Sequence, residues 1–515
     1  NPAICLHPPP YPYGPLMKFH IYPTSESATT NRIILLFAGW GMDEKPFADL
    51  SAGGYRLAVV WDYRDTAFPT ELEKVLATVE EIVVMAWSFG VPAATRFILN
   101  HTELPITARI AVNGTMHPVD DRLGIPEAIF NGTLEGLSEK SLSKFHLRMC
   151  GSSASFRDFS AKLPARTVSE LREELEAIRD TAPLASLHRV WDRAIVSTAD
   201  RIIPPANQTE AWSAEAVETI SVEGAHLPDF PALFQTLLTE KGLVAEKFAR
   251  AESTYDDNAT AQREIAIKLL SLIPESLLTS SRPLSAIEIG CGTGLTTRML
   301  LSKFPIGSLE AWDLHIPENF SPIDVRQAHA LNADGGFDCD LSTRECDAET
   351  EIRKIPSESI DIVFSASTMQ WFNSPATFMR ECARVLRPGG CAILSTFGPE
   401  TMREINSLLH RRRHYPDMDT VGRMIPDRCR LLHLSSETHT LLFATPAEAL
   451  RHVRLTGVNA VSRTASGATA RTVLSAYPLT PSGEAPVTYQ PIYVVFSKTP
   501  TAKTIIHPLN FPPTQ

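Results

Sequence analysis

The 515-residue chain lacks several features that would assign it to familiar classes of protein. None of its eight cysteines forms a Cys-x-x-Cys pair, which argues against a disulfide framework or a zinc site and favours a reducing, cytoplasmic setting. The longest purely apolar runs, such as Ile33–Ala38, have the length of a strand and are too short to span a membrane. A net charge of −11 argues against nucleic-acid binding. The composition therefore predicts a cytoplasmic globular protein with no metal, membrane segment or nucleic-acid partner.

A flexible linker is also absent, although the chain is too long for one ordinary core. A length of 515 residues predicts two domains, and no run rich in glycine, serine and proline separates them. We place the boundary near residue 240, between predicted helices at Leu233–Leu238 and Val244–Ala251. The predicted domains are therefore residues 17–240 and 241–515.

The start of the chain has an unusual composition. Residues 1–16 hold six prolines and no methionine, whereas Met17 directly precedes a predicted strand. We therefore expect the natural chain to begin at Met17 and the preceding residues to form a disordered extension.

Strand and helix patterns alternate through the first half of the chain. Helical patterns such as Glu71–Glu80 and Val91–Asn100 stand between short apolar runs. Alternation of this kind predicts an α/β domain with a mostly parallel, doubly wound sheet. The predicted strands are Lys18–Tyr22, Ile33–Phe37, Leu57–Trp61, Ile82–Ala86, Ile110–Val112, Ala194–Ser197 and Ile220–Val222.

The run Ala86-Trp87-Ser88-Phe89-Gly90 follows an apolar strand and precedes a helix. Small residues beside a serine at this position are typical of a nucleophile elbow, a strained turn that presents the serine hydroxyl. A serine that only caps an ordinary helix is the alternative. The elbow is favoured because Asp200 closes a later strand-like run and His226 follows the next one. Serine, acid and histidine in this order are typical of α/β-hydrolases, which predicts Ser88, Asp200 and His226 as the catalytic residues.

Further residues complete the predicted hydrolase site. Asp192 is a competing acid, but it precedes its strand and is expected to point away from the carboxyl edge of the sheet. An oxyanion hole needs two backbone N–H groups. We assign these groups to Phe89, directly after the serine, and to Trp40, which follows the first central strand.

The segment between the predicted fifth and sixth strands of the first half has its own pattern. Residues 116–187 carry helical patterns, clearest at Leu163–Ile178, but no strand pattern. We interpret this segment as a helical lid over an acyl-binding cleft.

The motifs of the first half resemble the esterases that release methanol from pimeloyl-acyl-carrier-protein methyl ester in biotin synthesis. The resemblance spans residues 17–235 and is carried by Phe37–Gly41, Trp87–Gly90 and Gly224–His226. It implies an α/β-hydrolase domain that acts on a carrier-bound ester. A general carboxylesterase shares much of these motifs and stays open as an alternative.

The second half contains the run Glu288-Ile289-Gly290-Cys291-Gly292-Thr293-Gly294, between a strand pattern and the helical pattern Leu295–Phe304. Glycines let a backbone turn tightly and approach a ligand without a Cβ in the way. Asp313 ends the next predicted strand, Ser308–Trp312, and is well placed to bind ribose hydroxyls. Dinucleotide-binding folds use a similar loop, so NAD is the alternative ligand.

A predicted turn, Leu386-Arg387-Pro388-Gly389-Gly390, precedes the strand pattern Cys391–Phe397. Together with the glycine run, this turn resembles class I S-adenosylmethionine methyltransferases and disfavours NAD. The resemblance implies a Rossmann-like methyltransferase domain with S-adenosylmethionine as its cofactor.

The resemblance narrows to the malonyl-acyl-carrier-protein O-methyltransferases, over residues 245–500. It is carried by Phe248–Ala251, Tyr255–Ala259, Cys346–Glu349, Ile360–Ser365, Met369–Phe372, Leu455–Ala460 and the predicted closing strand Thr488–Val495. The cofactor-binding residues that it implies are Tyr255, Gln262, Glu288, Gly290, Cys291, Gly292, Gly294, Asp313, Asp347, Ala348 and Ser365. Asp347 would contact the adenine amine. Asp340 is its rival, because an insert around Asn332–Asp340 lengthens this part of the chain.

A basic run, Arg411–Arg413, stands out on an acidic chain. We interpret it as a solvated helix end, with docking of an acidic acyl carrier protein as the alternative. His410 and His414 flank the run one helical turn apart, but no third ligand is near, so no metal site is predicted.

The sequence as a whole predicts a bifunctional enzyme of biotin synthesis, with the esterase first and the methyltransferase second. Its expected partner is acyl carrier protein, loaded with malonate for methylation and with pimelate methyl ester for hydrolysis. One alternative pairs a general methyltransferase with a general carboxylesterase that acts on small acids. The other, a non-catalytic carrier-protein scaffold, is disfavoured because all the expected catalytic residues are present.

Overall fold

The computed structural model describes residues 17–22, 31–52, 54–181, 190–239, 241–318, 320, 339–408, 415–456 and 473–499. The predicted extension 1–16, the basic run 411–413 with its flanking histidines, and most of the predicted insert lie outside the described residues. The chain divides into two compact units, residues 1–240 and 241–515. Within the described ranges, no helix is both long enough and apolar enough to cross a membrane.

Seven strands form the sheet of the first unit: β1 (Lys18–Tyr22), β2 (Arg32–Phe37), β3 (Arg56–Trp61), β4 (Glu81–Trp87), β5 (Ile106–Val112), β6 (Arg193–Ser197) and β7 (Glu218–Val222). Their order across the sheet is β1-β3-β2-β4-β5-β6-β7. β1 is antiparallel to β3, and the other pairs are parallel. Strands β2 and β4 are almost completely buried. Burial on both faces explains why their sequences are continuously apolar and do not alternate.

The strand order reverses at β2, because β3 lies on one side of it and β4 on the other. A reversal of this kind opens a crevice at the carboxyl ends of the strands. Residues 38–41 follow β2 and Ser88 follows β4, so both runs meet at this edge.

Helices α1 (Thr70–Leu76) and α2 (Gly90–Asn100) precede and follow β4. Between β5 and β6, the described residues contain helices but no strand: α3 (Glu127–Glu135), α4 (Glu139–Cys150), α5 (Ser153–Ser160) and α6 (Val168–Asp180). Helix α7 (Pro205–Ala214) joins β6 to β7, and α8 (Phe230–Leu237) follows β7. Helix α6 begins later than the predicted Leu163, because the Thr167 side chain caps it in a capping box with Glu170.

Buried charges connect α6 to the sheet. Glu174 of α6 accepts a hydrogen bond from the backbone N–H of Tyr63 (2.8 Å) and forms an ion pair with Arg166 (2.7 Å). Arg166 also pairs with Asp62, directly after β3, at 3.2 Å. Burial raises the pKa of Glu174. Because removal of one partner from a buried pair costs about 3–5 kcal/mol, these contacts fix α6 relative to the sheet.

Nine strands form two sheets in the second unit: β8 (Leu284–Ile289), β9 (Ile306–Asp313), β10 (Asp340–Glu345), β11 (Ile360–Ser365), β12 (Leu386–Phe397), β13 (Cys429–Ser436), β14 (His439–Phe443), β15 (Ala485–Tyr489) and β16 (Pro491–Lys498). The large sheet has the order β10-β9-β8-β11-β12-β16-β13, and β14 pairs with β15. The first five strands of the large sheet are parallel, whereas β16 is antiparallel to both of its neighbours. The parallel part has the strand order of a Rossmann-like sheet, with its reversal at β8.

The α-helices that accompany these strands are α9 (Lys241–Asn258), α10 (Thr260–Ser271), α11 (Glu275–Leu278), α12 (Leu295–Lys303), α13 (Ala348–Glu351), α14 (Pro375–Val385), α15 (Arg403–Asn406), α16 (Met418–Arg423) and α17 (Pro446–Leu455), and residues 473–476 are also helical. Helices α9 and α10 precede β8, and α12 follows the glycine run directly.

Two predictions for the second unit are wrong in detail. The predicted turn at 386–390 lies within β12, where Gly389 has a φ of +84° and the register against β11 shifts. The predicted single strand Thr488–Val495 is two strands, β15 and β16, separated at Gln490. The carbonyl of Gln490 accepts a hydrogen bond from Gly398 N–H (2.7 Å), and this contact directs the chain from one sheet into the other.

Candidate active sites

Ser88 lies in a strained turn between β4 and α2. Its φ is +58°, in the left-handed region that residues with side chains seldom adopt. A Cβ at position 90 would collide with the carbonyl oxygen of Phe37 at the end of β2. Helix α2 can therefore begin close to β2 only because residue 90 is glycine. This geometry is that of a nucleophile elbow, which presents the serine hydroxyl at the carboxyl edge of the sheet.

The structure brings Ser88, His226 and Asp200 into hydrogen-bond contact. Nε2 of His226 lies 3.0 Å from Oγ of Ser88, and Nδ1 of His226 lies 2.8 Å from Oδ2 of Asp200. All three residues are buried. When Nδ1–H is donated to the carboxylate, Nε2 of the neutral imidazole can accept the serine proton. The arrangement can therefore activate Ser88 as a nucleophile.

Asp200 accepts hydrogen bonds from other groups besides His226. Its Oδ1 accepts the backbone N–H groups of Ile202 (2.8 Å) and Ile203 (3.0 Å), and its Oδ2 accepts Nε2–H of Gln208 (2.9 Å). Sequence reasoning missed Gln208, which is buried in α7 and belongs to no motif. The competing acid Asp192 lies at the amino end of β6, where it accepts a hydrogen bond from Arg109 N–H (2.8 Å).

Ser88 and His226 open onto a cavity of about 560 Å³. The Trp40 indole donates a hydrogen bond to the carbonyl of Leu171 in α6 (3.0 Å), and its ring meets Phe145 of α4 edge-on at 5.1 Å. Helices α3, α4 and α6 thus supply one wall of the cavity, and the wall is mostly apolar. Other lining residues are Trp87, Ile125, Ile129, Phe130, Thr133, Arg148, Met149, Leu175 and Ile202.

Trp40 and Phe89 also line this cavity. Among the described residues, neither of their backbone N–H groups donates a hydrogen bond within the chain. Buried N–H groups without a partner are rare in proteins. Both groups belong to residues that line the cavity beside the Ser88 hydroxyl. A substrate oxygen that gains negative charge there could accept hydrogen bonds from them.

The second unit contains a cavity of about 970 Å³ at the carboxyl ends of β8, β9 and β10. The glycine run forms its floor, and Gly290, Gly292 and Gly294 have φ values of +77°, +49° and +79°. A Cβ at Gly290 would collide with the side chain of Thr368. The absence of a side chain there lets the loops after β8 and β11 approach each other beneath the cavity.

The lining of this cavity includes polar groups that could bind a ligand. Oδ2 of Asp313 accepts Gly292 N–H (2.8 Å), and burial raises the pKa of Asp313. Tyr255 and Gln262 line the same cavity. Both polar atoms of the Gln262 amide are buried without a hydrogen-bond partner within the described chain. Such groups each cost about 1–3 kcal/mol and therefore indicate a polar ligand.

Some predicted cofactor residues lie behind the cavity wall. Ser365 donates a hydrogen bond from its hydroxyl to the carbonyl of Ile289 (3.1 Å) and so bridges β11 to β8. Its successors Ala366 and Ser367 line the cavity in its place. The predicted residues outside the lining, among those described, are Glu288, Cys291, Gly294 and Ser365.

Asp347 and Ala348 line the cavity at the start of α13. Lys241, which sequence reasoning missed, lies beside them: its Nζ is 3.3 Å from Oδ1 of Asp347 and 2.7 Å from Oε2 of Glu349. Lys241 belongs to no local motif, and the two acids that it contacts lie more than a hundred residues later in the sequence. The rival acid Asp340 opens β10 and thus lies at the end of the strand opposite the cavity.

Comparisons with known proteins define the class of the chain as two enzymes joined in one polypeptide. Residues 23–235 match the family described as pimeloyl-ACP methyl esterase BioG, and residues 287–394 match a methyltransferase domain family. A malonyl-[acyl-carrier protein] O-methyltransferase of Bacteroides fragilis (strain 638R) is 36% identical over 476 residues, which cover 90% of this chain and 92% of that protein. The chain belongs to this malonyl-[acyl-carrier protein] O-methyltransferase family, in a form that carries a BioG esterase domain before the methyltransferase domain. The family resemblance predicted for both halves is confirmed.

Shorter relatives match one half each. A malonyl-[acyl-carrier protein] O-methyltransferase of Bacteroides helcogenes is 29% identical over 50% of this chain and 98% of its own length. The crystal structure of BioG from Haemophilus influenzae is 34% identical, covers 41% of this chain and 93% of that chain, and has a TM-score of 0.36.

Glu288 generates a prediction about stability. Burial raises its pKa from 4.5 to about 7, so the folded protein keeps this proton up to about pH 7, whereas the unfolded chain releases it near pH 4.5. The free energy of unfolding should therefore fall by up to ~3 kcal/mol as the pH rises from 4.5 to 8. Glu288→Gln should remove this dependence and raise the melting temperature of the ligand-free protein at pH 8. Calorimetry across this pH range, with the exposed Glu275→Gln as the control, measures both effects. If the free energy of unfolding depended equally on pH in the wild type and in Glu288→Gln, the raised pKa of Glu288 would be contradicted.

Proposed function

We propose that the chain carries out two opposed reactions of biotin synthesis in the cytoplasm. The second unit would methylate the free carboxylate of malonyl-acyl carrier protein, with S-adenosylmethionine as cofactor. The first unit, which we assign to the α/β-hydrolases, would hydrolyse pimeloyl-acyl-carrier-protein methyl ester and release methanol. The family match over 90% of the chain supports both assignments.

The observation that carries the esterase assignment is the contact of Ser88, His226 and Asp200. Oγ of Ser88 would attack the ester carbonyl while Nε2 of His226 takes its proton and then gives it to the methoxide that leaves. Asp200 would hold the imidazole in the required tautomer. Water activated by the same histidine would then hydrolyse the acyl-enzyme and regenerate the serine.

The backbone N–H groups of Trp40 and Phe89 would stabilise the negative charge that develops on the carbonyl oxygen. Their lack of partners within the described chain supports this role, because an oxyanion hole must have unoccupied donors before the reaction. The apolar cavity lined by α3, α4 and α6 would hold the acyl chain, which gives these helices the role of a lid.

The cavity of the second unit fits a charged nucleoside cofactor. Asp313 at the carboxyl end of β9 would accept the ribose hydroxyls, and Asp347 at the end of β10 would accept the adenine amine. The unpartnered Gln262 amide and the Tyr255 hydroxyl would bind the amino-acid end near the glycine run. When bound, S-adenosylmethionine would supply an electrophilic methyl group on a positively charged sulfur.

The methyl acceptor needs no general base from this chain. A malonyl carboxylate is already ionised at neutral pH, so the protein must only bring it close to the cofactor and exclude water. Phe248, Trp371 and Phe397 line the same cavity and provide apolar walls for this purpose. A site that holds two oppositely charged groups in a dry pocket favours their conversion to neutral products.

The two reactions make sense together in electrostatic terms. Apolar acyl tunnels exclude a free carboxylate, and methylation of malonate yields a neutral chain that fatty-acid enzymes can extend. Hydrolysis of the finished pimeloyl ester then restores the charge.

A general methyltransferase fused to a general carboxylesterase is the alternative function. Complementation discriminates the two: the full chain should rescue two biotin auxotrophs, one that lacks the methyltransferase and one that lacks the esterase. Failure to rescue either strain, with activity on free small acids, would favour the alternative.

The first prediction for this function concerns Ser88. Ser88→Ala should reduce hydrolysis of the pimeloyl methyl ester on the order of 10⁶-fold, because the nucleophile is lost. Methyl transfer to malonyl-acyl carrier protein by the same chain should stay near the wild-type rate and serves as the internal control for the amount of active enzyme. Ester hydrolysis above about one thousandth of the wild-type rate would exclude Ser88 as the nucleophile.

The second prediction concerns the cofactor. Asp313→Ala should weaken S-adenosylmethionine binding by ~2–3 kcal/mol, through the loss of hydrogen bonds to a charged group. Calorimetric titration measures the change. Asp340→Ala is the matched control, since Asp340 lies at the far end of the neighbouring strand and should leave the affinity unchanged. An unchanged affinity in Asp313→Ala would remove its ribose-binding role.

The third prediction concerns the timing of the two reactions. Malonyl and pimeloyl esters differ by four methylenes, and burial of each is worth ~0.8 kcal/mol, so the apolar cavity could discriminate by roughly 200-fold. We expect kcat/KM for ester hydrolysis to rise with chain length from three-carbon to seven-carbon diacid methyl esters on one carrier protein. Trp40→Ala should flatten this rise. A flat series in the wild type would show that the cavity does not select chain length.

A further inference from the structure

We propose that Asn113 is a positioning residue for the catalytic histidine, an inference that rests on the esterase function of the first unit. Asn113 directly follows β5 and is completely buried. Its φ is +45°, so the chain turns sharply at this residue and directs the side chain away from the course of the strand. No sequence motif contains Asn113, and the reaction described above does not use it.

The Asn113 side chain joins two strand ends to the loop that carries His226. Its Nδ2 lies 2.9 Å from the carbonyl oxygen of His226, 3.2 Å from that of Ala225 and 2.9 Å from Oγ of Ser197. Its Oδ1 accepts the backbone N–H of Ser197 at the end of β6 (2.8 Å). One amide thus fixes the His226 backbone against β5 and β6.

A second donor reaches the same carbonyl from β4. Nε1 of Trp87 lies 2.9 Å from the His226 carbonyl oxygen, and Trp87 is the residue directly before Ser88. The carbonyl of His226 is therefore held between two donors on neighbouring strands. Because the imidazole must reach Ser88 and Asp200 at once, a small shift of this backbone would lengthen at least one of those two contacts.

The other side of the histidine loop contacts a helix of the cavity wall. Leu227 N–H donates a hydrogen bond to the carbonyl of Met149 in α4 (2.9 Å). Gly151, directly after α4, packs against Ala225 so closely that an added Cβ would lie 2.5 Å from the Ala225 Cβ. Any movement of α4 during substrate binding would thus be transmitted to residues on both sides of His226. Asn113 and Trp87 would hold the histidine on the sheet against that movement.

The test compares two variants of the full chain with a matched control. Asn113→Asp keeps the shape and the Oδ1 acceptor but cannot donate to the carbonyls, and Asn113→Gly removes the whole side chain while it tolerates the positive φ. Thr95→Val is the control, because it removes the hydroxyl that accepts a buried hydrogen bond from Trp191 Nε1–H (3.0 Å) elsewhere in the same unit. The thermal unfolding transition of the first unit, measured by calorimetry, reports whether that unit is folded in each variant.

The measurements are kcat and KM for the pimeloyl methyl ester and the low-field proton resonance of the His226 Nδ1–H bonded to Asp200. A misplaced catalytic group typically costs about 100-fold in rate. We expect kcat to fall by about this factor in both Asn113 variants, with KM within about twofold of wild type and with a shifted or broadened resonance. Thr95→Val should change neither.

Three outcomes would overturn the proposal. The first is kcat within about threefold of wild type with an unchanged resonance. The second is an equal loss in Thr95→Val, which would show that only the stability of the unit matters. The third is loss of the first unit's thermal unfolding transition in both Asn113 variants, which would make Asn113 a folding residue and not a positioning one. A wild-type chain that fails to hydrolyse the ester would instead refute the esterase function itself.

Discussion

The first unit depends on one steric constraint, the close approach of α2 to β2 behind Ser88. A residue with a side chain at position 90 could not fit against the Phe37 carbonyl, and this contact lies two residues after Ser88, whose φ is +58°. The rest of the site is arranged around this turn. The residue before Ser88 donates its indole N–H to the His226 backbone, and the residue after it offers an unpartnered N–H to the cavity. Residues 87–90 therefore fix both the turn at Ser88 and one contact to the His226 backbone.

Sequence reasoning predicted Ser88, Asp200 and His226, which the structure brings into contact, because each follows a strand and strand ends can be predicted from apolar runs. It failed where contacts depend on register or on distant parts of the chain. Gln208, Asn113 and Lys241 belong to no motif, and each acquires its partner only when separate elements meet. Ser365 shows the opposite case, a residue that belongs to a predicted motif but does not line the cavity. Its hydroxyl donates a hydrogen bond to the Ile289 carbonyl of β8, and the next two residues, Ala366 and Ser367, line the cavity.

The two cavities differ in the electrostatic character of their linings. The cavity beside Ser88 is mostly apolar, and its lining includes the polar side chains of Thr133 and Arg148 besides those of Ser88 and His226. The cavity beside the glycine run is bordered by carboxylates and unpartnered amide groups, which suits a cofactor with a positive charge. The chain thus methylates a carboxylate in a cavity that suits a positively charged cofactor. It hydrolyses a methyl ester in a cavity of more apolar character.

The position of Lys241 limits how the two enzymes could ever be separated. Its ammonium group is buried between Asp347 and Glu349 in the wall of the cofactor cavity, although it is the first residue of the second unit. The lining of the second unit's cavity therefore begins at the first residue of that unit. A gene split that restored two independent proteins would have to cut before this lysine, because a later cut would leave two acids buried without their cation.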